Sequence, residues 1–145
     1  MKLILAVRVR YIDLRDPDSV IANKKNNQER STMYCLYAFN GELMCFVHVL
    51  LNGLDMAEKG KKVVIVLEGA SVTLVSELEK ESCPFHKLYI KAKALGLIEG
   101  ACKACSVKLG VKEEVEKAGI ALIGEMSGHP AMSGYLEKGY SVITF

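Results

Sequence analysis

Two cysteines three positions apart, in the motif Cys102-Lys103-Ala104-Cys105, have the residue types and spacing for sulfur or metal chemistry. The motif follows an apolar segment and is predicted to open a helix, where unpaired backbone N–H groups favour an anion. A thiolate is such an anion, and it is the form of cysteine that attacks sulfur. We therefore expect Cys102 to be an accessible nucleophile of low pKa, with Cys105 close enough to resolve, receive or share a sulfur atom. Burial of both thiols as small apolar groups is the alternative.

Glu68 and His129 are the other two residues that we expect to take part in catalysis. Glu68 ends an otherwise apolar segment, and a carboxylate at the end of a buried strand normally needs a partner. It could instead cap the helix that follows. His129 precedes Pro130 and could supply a proton or orient a thiolate, or it could satisfy backbone groups in a turn.

A metal site is the main competing interpretation of the same cysteines. Cys83-x-x-His86 is followed after fifteen residues by Cys102-x-x-Cys105, which is the ligand spacing of a zinc site. A dithiol oxidoreductase is a second alternative, although its motif normally follows the first strand of the domain and here two βα units come first. A non-catalytic interaction protein with incidental thiols is the third.

The elements that must position these residues alternate between short apolar runs and amphipathic stretches, which is typical of βαβ units. Strands are predicted at 33–39, 62–67, 97–101, 120–123 and 140–145. Helices are predicted at about 42–58, 71–80, 84–95, 111–117 and 130–138, with a further one opening at Cys102. The pattern predicts an α/β fold with five parallel strands.

We expect a domain at 33–145, where the first complete βα unit begins. Residues 1–32 are predicted to be an N-terminal extension, either an extra edge strand or a loose tail. In a parallel sheet, the loops after the strands meet at one rim, which is where ligands bind. This rule brings the segments 40–42, 68–69, 100–102 and 127–130 together at a single candidate site.

Composition excludes several functions. The chain has 145 residues, and its 19 Lys and Arg are interleaved with 17 Asp and Glu, so no basic face for nucleic acid is predicted. The apolar run near the amino end is too short for a membrane span and lacks a secretory cleavage site. We therefore expect a cytoplasmic protein whose five cysteines stay reduced.

The first helix has more apolar residues than one core face requires. The predicted core face comprises Leu43, Phe46, Val47, Leu50, Leu51 and Leu54. Met44, Val49 and Met56 lie off that stripe. This surplus predicts a second buried surface, which a homo-oligomer would supply.

The segment 102–111 also resembles the part of the DsrE/DsrF-like family in which a cysteine opens a helix that closes with Gly-Val, and Cys102 holds the matching position. Further matching stretches lie at 38–42, 46–48, 66–70, 128–130 and 139–140. The resemblance implies a three-layer, flavodoxin-like fold around a five-stranded, mainly parallel sheet. Cys105 departs from the pattern of the family's relay subunits, and residues before Met33 do not match.

The resemblance also implies a function. The implied protein is a sulfurtransferase-like carrier that accepts sulfur from one protein, holds it as a persulfide on Cys102 and passes it to another protein. The resemblance implies no organic cofactor. The implied assembly is a homotrimer or homohexamer. The matching stretches and the predicted rim supply the candidate substrate-binding residues, which are Asn40, Gly41, Glu42, His48 and Gly69. Of these, His48 lies on a polar stripe of the first helix, which is typical of solvated surface or of an oligomer contact.

Overall fold

The computed structural model describes residues 33–145, which belong to one compact unit. The extra strand or tail predicted for residues 1–32 lies outside the described residues. Within them, five strands form one parallel sheet in the order β4-β3-β2-β1-β5. The strands are β1 (Met33–Ala38), β2 (Lys62–Leu67), β3 (Ile98–Cys102), β4 (Leu122–Ile123) and β5 (Ser141–Thr144).

Six α-helices and one 3-10 helix connect the strands. They are α1 (Leu43–Glu58), the 3-10 helix (Gly69–Leu74), α2 (Val75–Leu78), α3 (His86–Ala94), α4 (Lys103–Lys108), α5 (Lys112–Lys117) and α6 (Met132–Glu137). The predicted helix at 71–80 is mostly the 3-10 helix and one α-helical turn. The helix predicted from Pro84 begins two residues later, so Pro84 lies before its first turn.

The two faces of the sheet carry separate apolar clusters, because successive side chains of a strand point to opposite sides. Leu36 and Ile65 belong to the larger cluster, which α1 to α5 cover. Tyr37 and Val66 belong to the smaller one, which packs against Tyr135 of α6. The five residues after Lys62 in β2 are all buried, as expected for a strand covered on both faces. The predicted three-layer α/β/α fold is confirmed.

One core prediction for α1 is wrong. Leu51 is 45% exposed, whereas Val49, which we placed off the core stripe, is 1% exposed. The helix turns Val49 and Gly53 toward the sheet, and the δ-carbon of Ile65 would lie 3.0 Å from a β-carbon at Gly53. A leucine at position 51 therefore faces away from the core. Among residues 33–145, no helix is both long enough and apolar enough to span a bilayer.

The strand order makes the carboxyl ends of β3 and β4 the expected position of a ligand site. These strands are neighbours, but the chain leaves β3 into α4 on the larger apolar cluster and leaves β4 toward α6 on the opposite face. Loops that diverge to opposite faces of a parallel sheet leave a crevice between them, and ligands of α/β proteins bind in such crevices.

Candidate functional site

Four side chains from three segments of the chain converge at this rim of the sheet. Glu68 follows β2, Cys102 ends β3, Cys105 lies in α4, and His129 lies in the loop after β4. One carboxylate oxygen, two sulfurs and one imidazole nitrogen all lie within 4.8 Å of one another. The structure therefore brings together the four residues that we expected to take part in catalysis.

His129 is at the centre of this group. Its Nδ1 atom lies 3.2 Å from Cys102 Sγ, 3.2 Å from Glu68 Oε1 and 3.9 Å from Cys105 Sγ. When Nδ1 lacks a proton, it can accept one from the Cys102 thiol, and when it carries a proton, it can donate a hydrogen bond to Glu68. The arrangement therefore places a nitrogen that can accept a proton beside the Cys102 sulfur, and a carboxylate beside that nitrogen.

Cys102 differs from our expectation of an accessible thiol of low pKa. The residue is fully buried, and burial raises the pKa of its thiol to about 11, with contributions from Cys105 and from the charge of Glu68. The Cys105 backbone N–H, 3.3 Å from Cys102 Sγ, acts in the opposite direction. Helix α4 has only six residues, and the one hydrogen bond at its start lowers the pKa of Cys102 by less than burial raises it.

Cys105 is the more accessible thiol of the pair. Its side chain is half-buried, and its Sγ accepts a hydrogen bond from the backbone N–H of Gly69 at 3.3 Å. This contact ties α4 to the loop after β2. A sulfur atom arriving from solvent would therefore meet Cys105 before Cys102.

The turn that holds His129 is defined by its backbone. Met126 and His129 exchange two backbone hydrogen bonds of 2.9 Å, and Gly128 has a φ of 91°, a conformation that side chains rarely adopt. The Gly128 carbonyl accepts the N–H of Ala104 at 2.8 Å and lies 3.7 Å from Cys102 Sγ. Our sequence analysis missed this role of Gly128, although the succession Ser-Gly-His-Pro is a turn signal.

Glu68 does not cap the helix that follows, because its side chain makes no capping hydrogen bond there. Its backbone N–H donates to Ala38 O at 2.8 Å, which extends the pairing of β1 and β2 by one step. Ser71 Oγ donates to the carbonyls of Ala38 and Glu68, at 2.6 and 2.8 Å. These contacts direct a carboxylate that is only 14% exposed toward His129.

The five candidate substrate-binding residues are placed differently. Gly69 contacts Cys105 directly. Asn40 Oδ1 accepts the N–H of Glu42 at 2.8 Å and so shapes the turn after β1, and a β-carbon at Gly41 would lie 2.9 Å from Ala70 Cβ. His48 is exposed on α1, consistent with the solvated stripe. Within residues 33–145, Gly69 is the one of the five with a hydrogen bond to a member of the four-residue group.

The zinc ligand set that spacing predicted is wrong. Cys83 is 4% exposed within the larger core cluster, and His86 Nδ1 lies 2.8 Å from the Leu78 carbonyl. In the described part of the chain, the one group of residues that could share a metal contains Cys102 and Cys105 but neither Cys83 nor His86. Cys83 and His86 instead stabilise the turn before α3.

The chain has recognisable relatives. The sequence model of the DsrE/DsrF-like family matches residues 22–145, so the match begins before Met33, where our sequence analysis had found none. The chain is 34% identical over 97 residues to the uncharacterized protein MJ0733 of Methanocaldococcus jannaschii, a match that covers 67% of this chain and 77% of that protein. The fold is similar to that of a conserved protein of unknown function, BT1422, from Bacteroides thetaiotaomicron. That similarity has a TM-score of 0.57 and 20% identity over 77% of this chain and 94% of the other.

Proposed function

Since this chain belongs to the DsrE/DsrF-like family, a family of the sulfur-relay type, we propose that it carries sulfane sulfur as a persulfide on the pair Cys102 and Cys105. The observation that carries this proposal is the group of two thiols, one imidazole and one carboxylate within 4.8 Å. Sulfur exchange requires a thiolate, a group that takes its proton and a second thiol that shares the sulfur. Cys102, Cys105 and His129 can supply all three, and the proposed steps require no organic cofactor.

The burial of the two thiols supports an order of steps. The half-buried Cys105, as its thiolate, attacks the outer sulfur of a donor persulfide, R–S–SH. A new S–S bond forms, the S–S bond of the donor breaks, and the donor leaves as the thiolate R–S⁻. Cys105 then holds the sulfur as Cys105–S–SH.

The second step moves the sulfur inward. Cys102 passes its thiol proton to His129 Nδ1, 3.2 Å away, and the Glu68 carboxylate stabilises the resulting imidazolium. The Cys102 thiolate attacks the outer sulfur of Cys105–S–SH, which gives Cys102–S–SH and the Cys105 thiolate. Because Cys102 is fully buried, the stored persulfide is shielded from thiols in solution. Transfer to an acceptor protein runs through Cys105 in the reverse order.

The experiment is intact-mass spectrometry after incubation with a cysteine desulfurase and cysteine. The wild type and the variants Cys102→Ser, Cys105→Ser and Cys102→Ser/Cys105→Ser are compared, with Cys45→Ser as the control for an exposed thiol outside the site. We expect one added sulfur in the wild type and in the Cys45→Ser variant, and none in the double variant. Sulfur retained by the double variant would overturn the carrier proposal.

The single variants test the order of steps. We expect Cys105→Ser to lose most of its rate of sulfur uptake, whereas Cys102→Ser still accepts sulfur on Cys105 but loses it faster to added thiol. If Cys105→Ser loads at the wild-type rate, sulfur arrives at Cys102 directly and the proposed order is wrong.

We also propose that the protein assembles as a homo-oligomer, of three or six subunits as the family resemblance implies. Met44 is 62% exposed and Leu51 is 45% exposed, and the two lie seven residues apart on one face of α1. Covering them would remove an apolar patch from water. Light scattering after size exclusion should give a mass of three or six chains, and Met44→Lys/Leu51→Lys should lower it. A wild-type monomer at micromolar concentration would overturn this assembly.

A further inference from the structure

The same four residues have the donor set of a transition-metal site. Two sulfurs, one imidazole nitrogen and one carboxylate oxygen face one another, and the four residues come from three separate segments of the chain. Two of the four, Glu68 and His129, lie outside the ligand set predicted from cysteine spacing. The group is therefore a product of the tertiary structure.

We propose that Glu68, Cys102, Cys105 and His129 bind one Zn²⁺ ion through Oε1, the two Sγ atoms and Nδ1. This site goes beyond the sulfur-carrier function and does not rest on it. Because zinc and sulfane sulfur use the same two sulfur atoms, one molecule holds either the ion or the persulfide at a given time. Binding breaks the two S–H bonds, forms two Zn–S bonds and releases both protons to water, with no change of oxidation state. His129 binds as neutral imidazole, with its ring proton on Nε2.

Three of the six ligand-to-ligand distances are close to those of tetrahedral zinc, and the other three are within 4.8 Å. Ordinary Zn–S, Zn–N and Zn–O bond lengths place sulfur and nitrogen about 3.6 Å apart, and nitrogen and oxygen about 3.4 Å apart, along the edges of the tetrahedron. The corresponding distances are 3.2 and 3.9 Å from His129 Nδ1 to the two sulfurs, and 3.2 Å to Glu68 Oε1. Shifts of a few tenths of an ångström, within the reach of side-chain rotation, bring all three to the ideal values.

The donor chemistry selects the ion. Two thiolates and an imidazole favour zinc and other soft or borderline ions, whereas Mg²⁺ and Ca²⁺ require mostly oxygen ligands. The two thiolates and the carboxylate place three negative charges around the ion. Cys102 is fully buried and Glu68 is 14% exposed, so little water competes with the ion for these ligands.

The backbone supports the ligands as a zinc site requires. Gly69 N–H donates to Cys105 Sγ and Cys105 N–H donates to Cys102 Sγ, both at 3.3 Å. These hydrogen bonds from backbone N–H groups to sulfur persist when the thiol becomes a metal-bound thiolate, because the sulfur still has lone pairs that the metal does not use. Supporting contacts of this kind hold metal ligands in position.

The experiment titrates fully reduced, metal-free protein with Zn²⁺ in competition with a chromophoric chelator. A parallel titration with Co²⁺ records the absorption bands of thiolate–cobalt bonds and of tetrahedral geometry. We expect one equivalent of either ion to bind. Since Cys102 is buried, Glu68→Gln and His129→Gln carry the test, with circular dichroism confirming that each variant folds.

We expect each of these two variants to bind Zn²⁺ more than about 100-fold more weakly, since losing a residue that only supports a ligand already costs 10–100-fold. The matched control is Cys83→Ser/His86→Gln, which removes the other pair of the same spacing and should bind zinc like the wild type. Wild-type affinity in His129→Gln and Glu68→Gln, less than one equivalent in the wild type, or loss of binding in the control would each overturn the site.

The zinc site and the carrier function fail separately. Sulfur uptake by a protein that binds no zinc would overturn this inference and leave the carrier proposal standing. Zinc binding by a protein that accepts no sulfur even in its metal-free form would do the reverse.

Discussion

Two motifs of the same spacing, Cys102-x-x-Cys105 and Cys83-x-x-His86, have different surroundings in this protein. The first lies at the carboxyl end of a strand, where the loops after β2 and β4 bring Glu68 and His129 to it. The second lies in the turn between α2 and α3, with its cysteine in the core and its histidine bonded to a backbone carbonyl. The same spacing therefore becomes part of a four-residue group only where other loops of the sheet rim converge on it.

A backbone change breaks the comparison first, because Gly128→Ala acts on the first motif without removing any of its side chains. The new methyl group would lie 3.2 Å from Ala104 Cβ, at a φ of 91°. Displacement of the turn moves His129, and we expect zinc affinity to fall about 10–100-fold. The measurement is the chelator competition described above.

Gly60→Ala is the matched control for that variant. Gly60 has a φ of 73°, and no atom lies within 4 Å of its added methyl group. The control therefore has the same kind of backbone strain, worth about 1–2 kcal/mol, without moving the site. Equal zinc affinities in the two variants would show that the turn does not position His129.

A change in the second motif should lower the stability of the fold and leave the four-residue group unaffected. Cys83→Ser places a hydroxyl in an apolar cluster, and we expect the free energy of unfolding to fall by about 1–3 kcal/mol. Zinc binding and sulfur uptake should not change. Urea denaturation measures the loss, and Cys45→Ser, at an exposed thiol, should stay within about 0.5 kcal/mol of the wild type.

The two histidines allow the most direct comparison of the two motifs. His86→Ala removes the contact with the Leu78 carbonyl and should cost about 0.5–1.5 kcal/mol of stability while leaving zinc binding intact. His129→Ala should abolish zinc binding with a smaller loss of stability, because this side chain is 41% exposed. If both variants behave alike in both assays, the distinction between the motifs is wrong.

The smallest effect is a pH dependence next to the second motif. Burial opposes ionisation of Glu79, but hydrogen bonds from Lys93 and Tyr89 outweigh it and hold the pKa of this carboxyl below its ordinary value of 4.5. A lowered folded pKa stabilises the protein above pH 4.5, and this stabilisation is lost as the pH falls through the folded value. Glu79→Gln should therefore lower the urea midpoint at pH 7 and change it less at about pH 3.

Glu77→Gln is the control for this dependence, because Glu77 pairs with Lys80 at the exposed surface. Exposed ion pairs contribute little to stability, so its urea midpoint should stay near the wild-type value at both pH values. A Glu79→Gln midpoint that differs equally from the wild type at both pH values would refute the lowered pKa.

The sequence by itself determined the fold class, because the alternation of apolar runs and amphipathic stretches encodes β–α units locally. It also identified Glu68, Cys102, Cys105 and His129 as rim residues, since loops after parallel strands meet at one edge. It did not reveal the exposure of Leu51 or the start of α3 at His86. Both depend on how a helix rotates and docks against the sheet.

Only the tertiary structure decided which side chains share one site and which of the two thiols is accessible. Spacing along the chain paired the cysteines with Cys83 and His86, but the order β4-β3-β2 brings the loops of Glu68 and His129 to β3 instead. Charge and helix position predicted a low pKa at Cys102, whereas enclosure by neighbouring loops raises it to about 11. Burial is the sum of contacts between distant segments, and no local pattern of residues contains that sum.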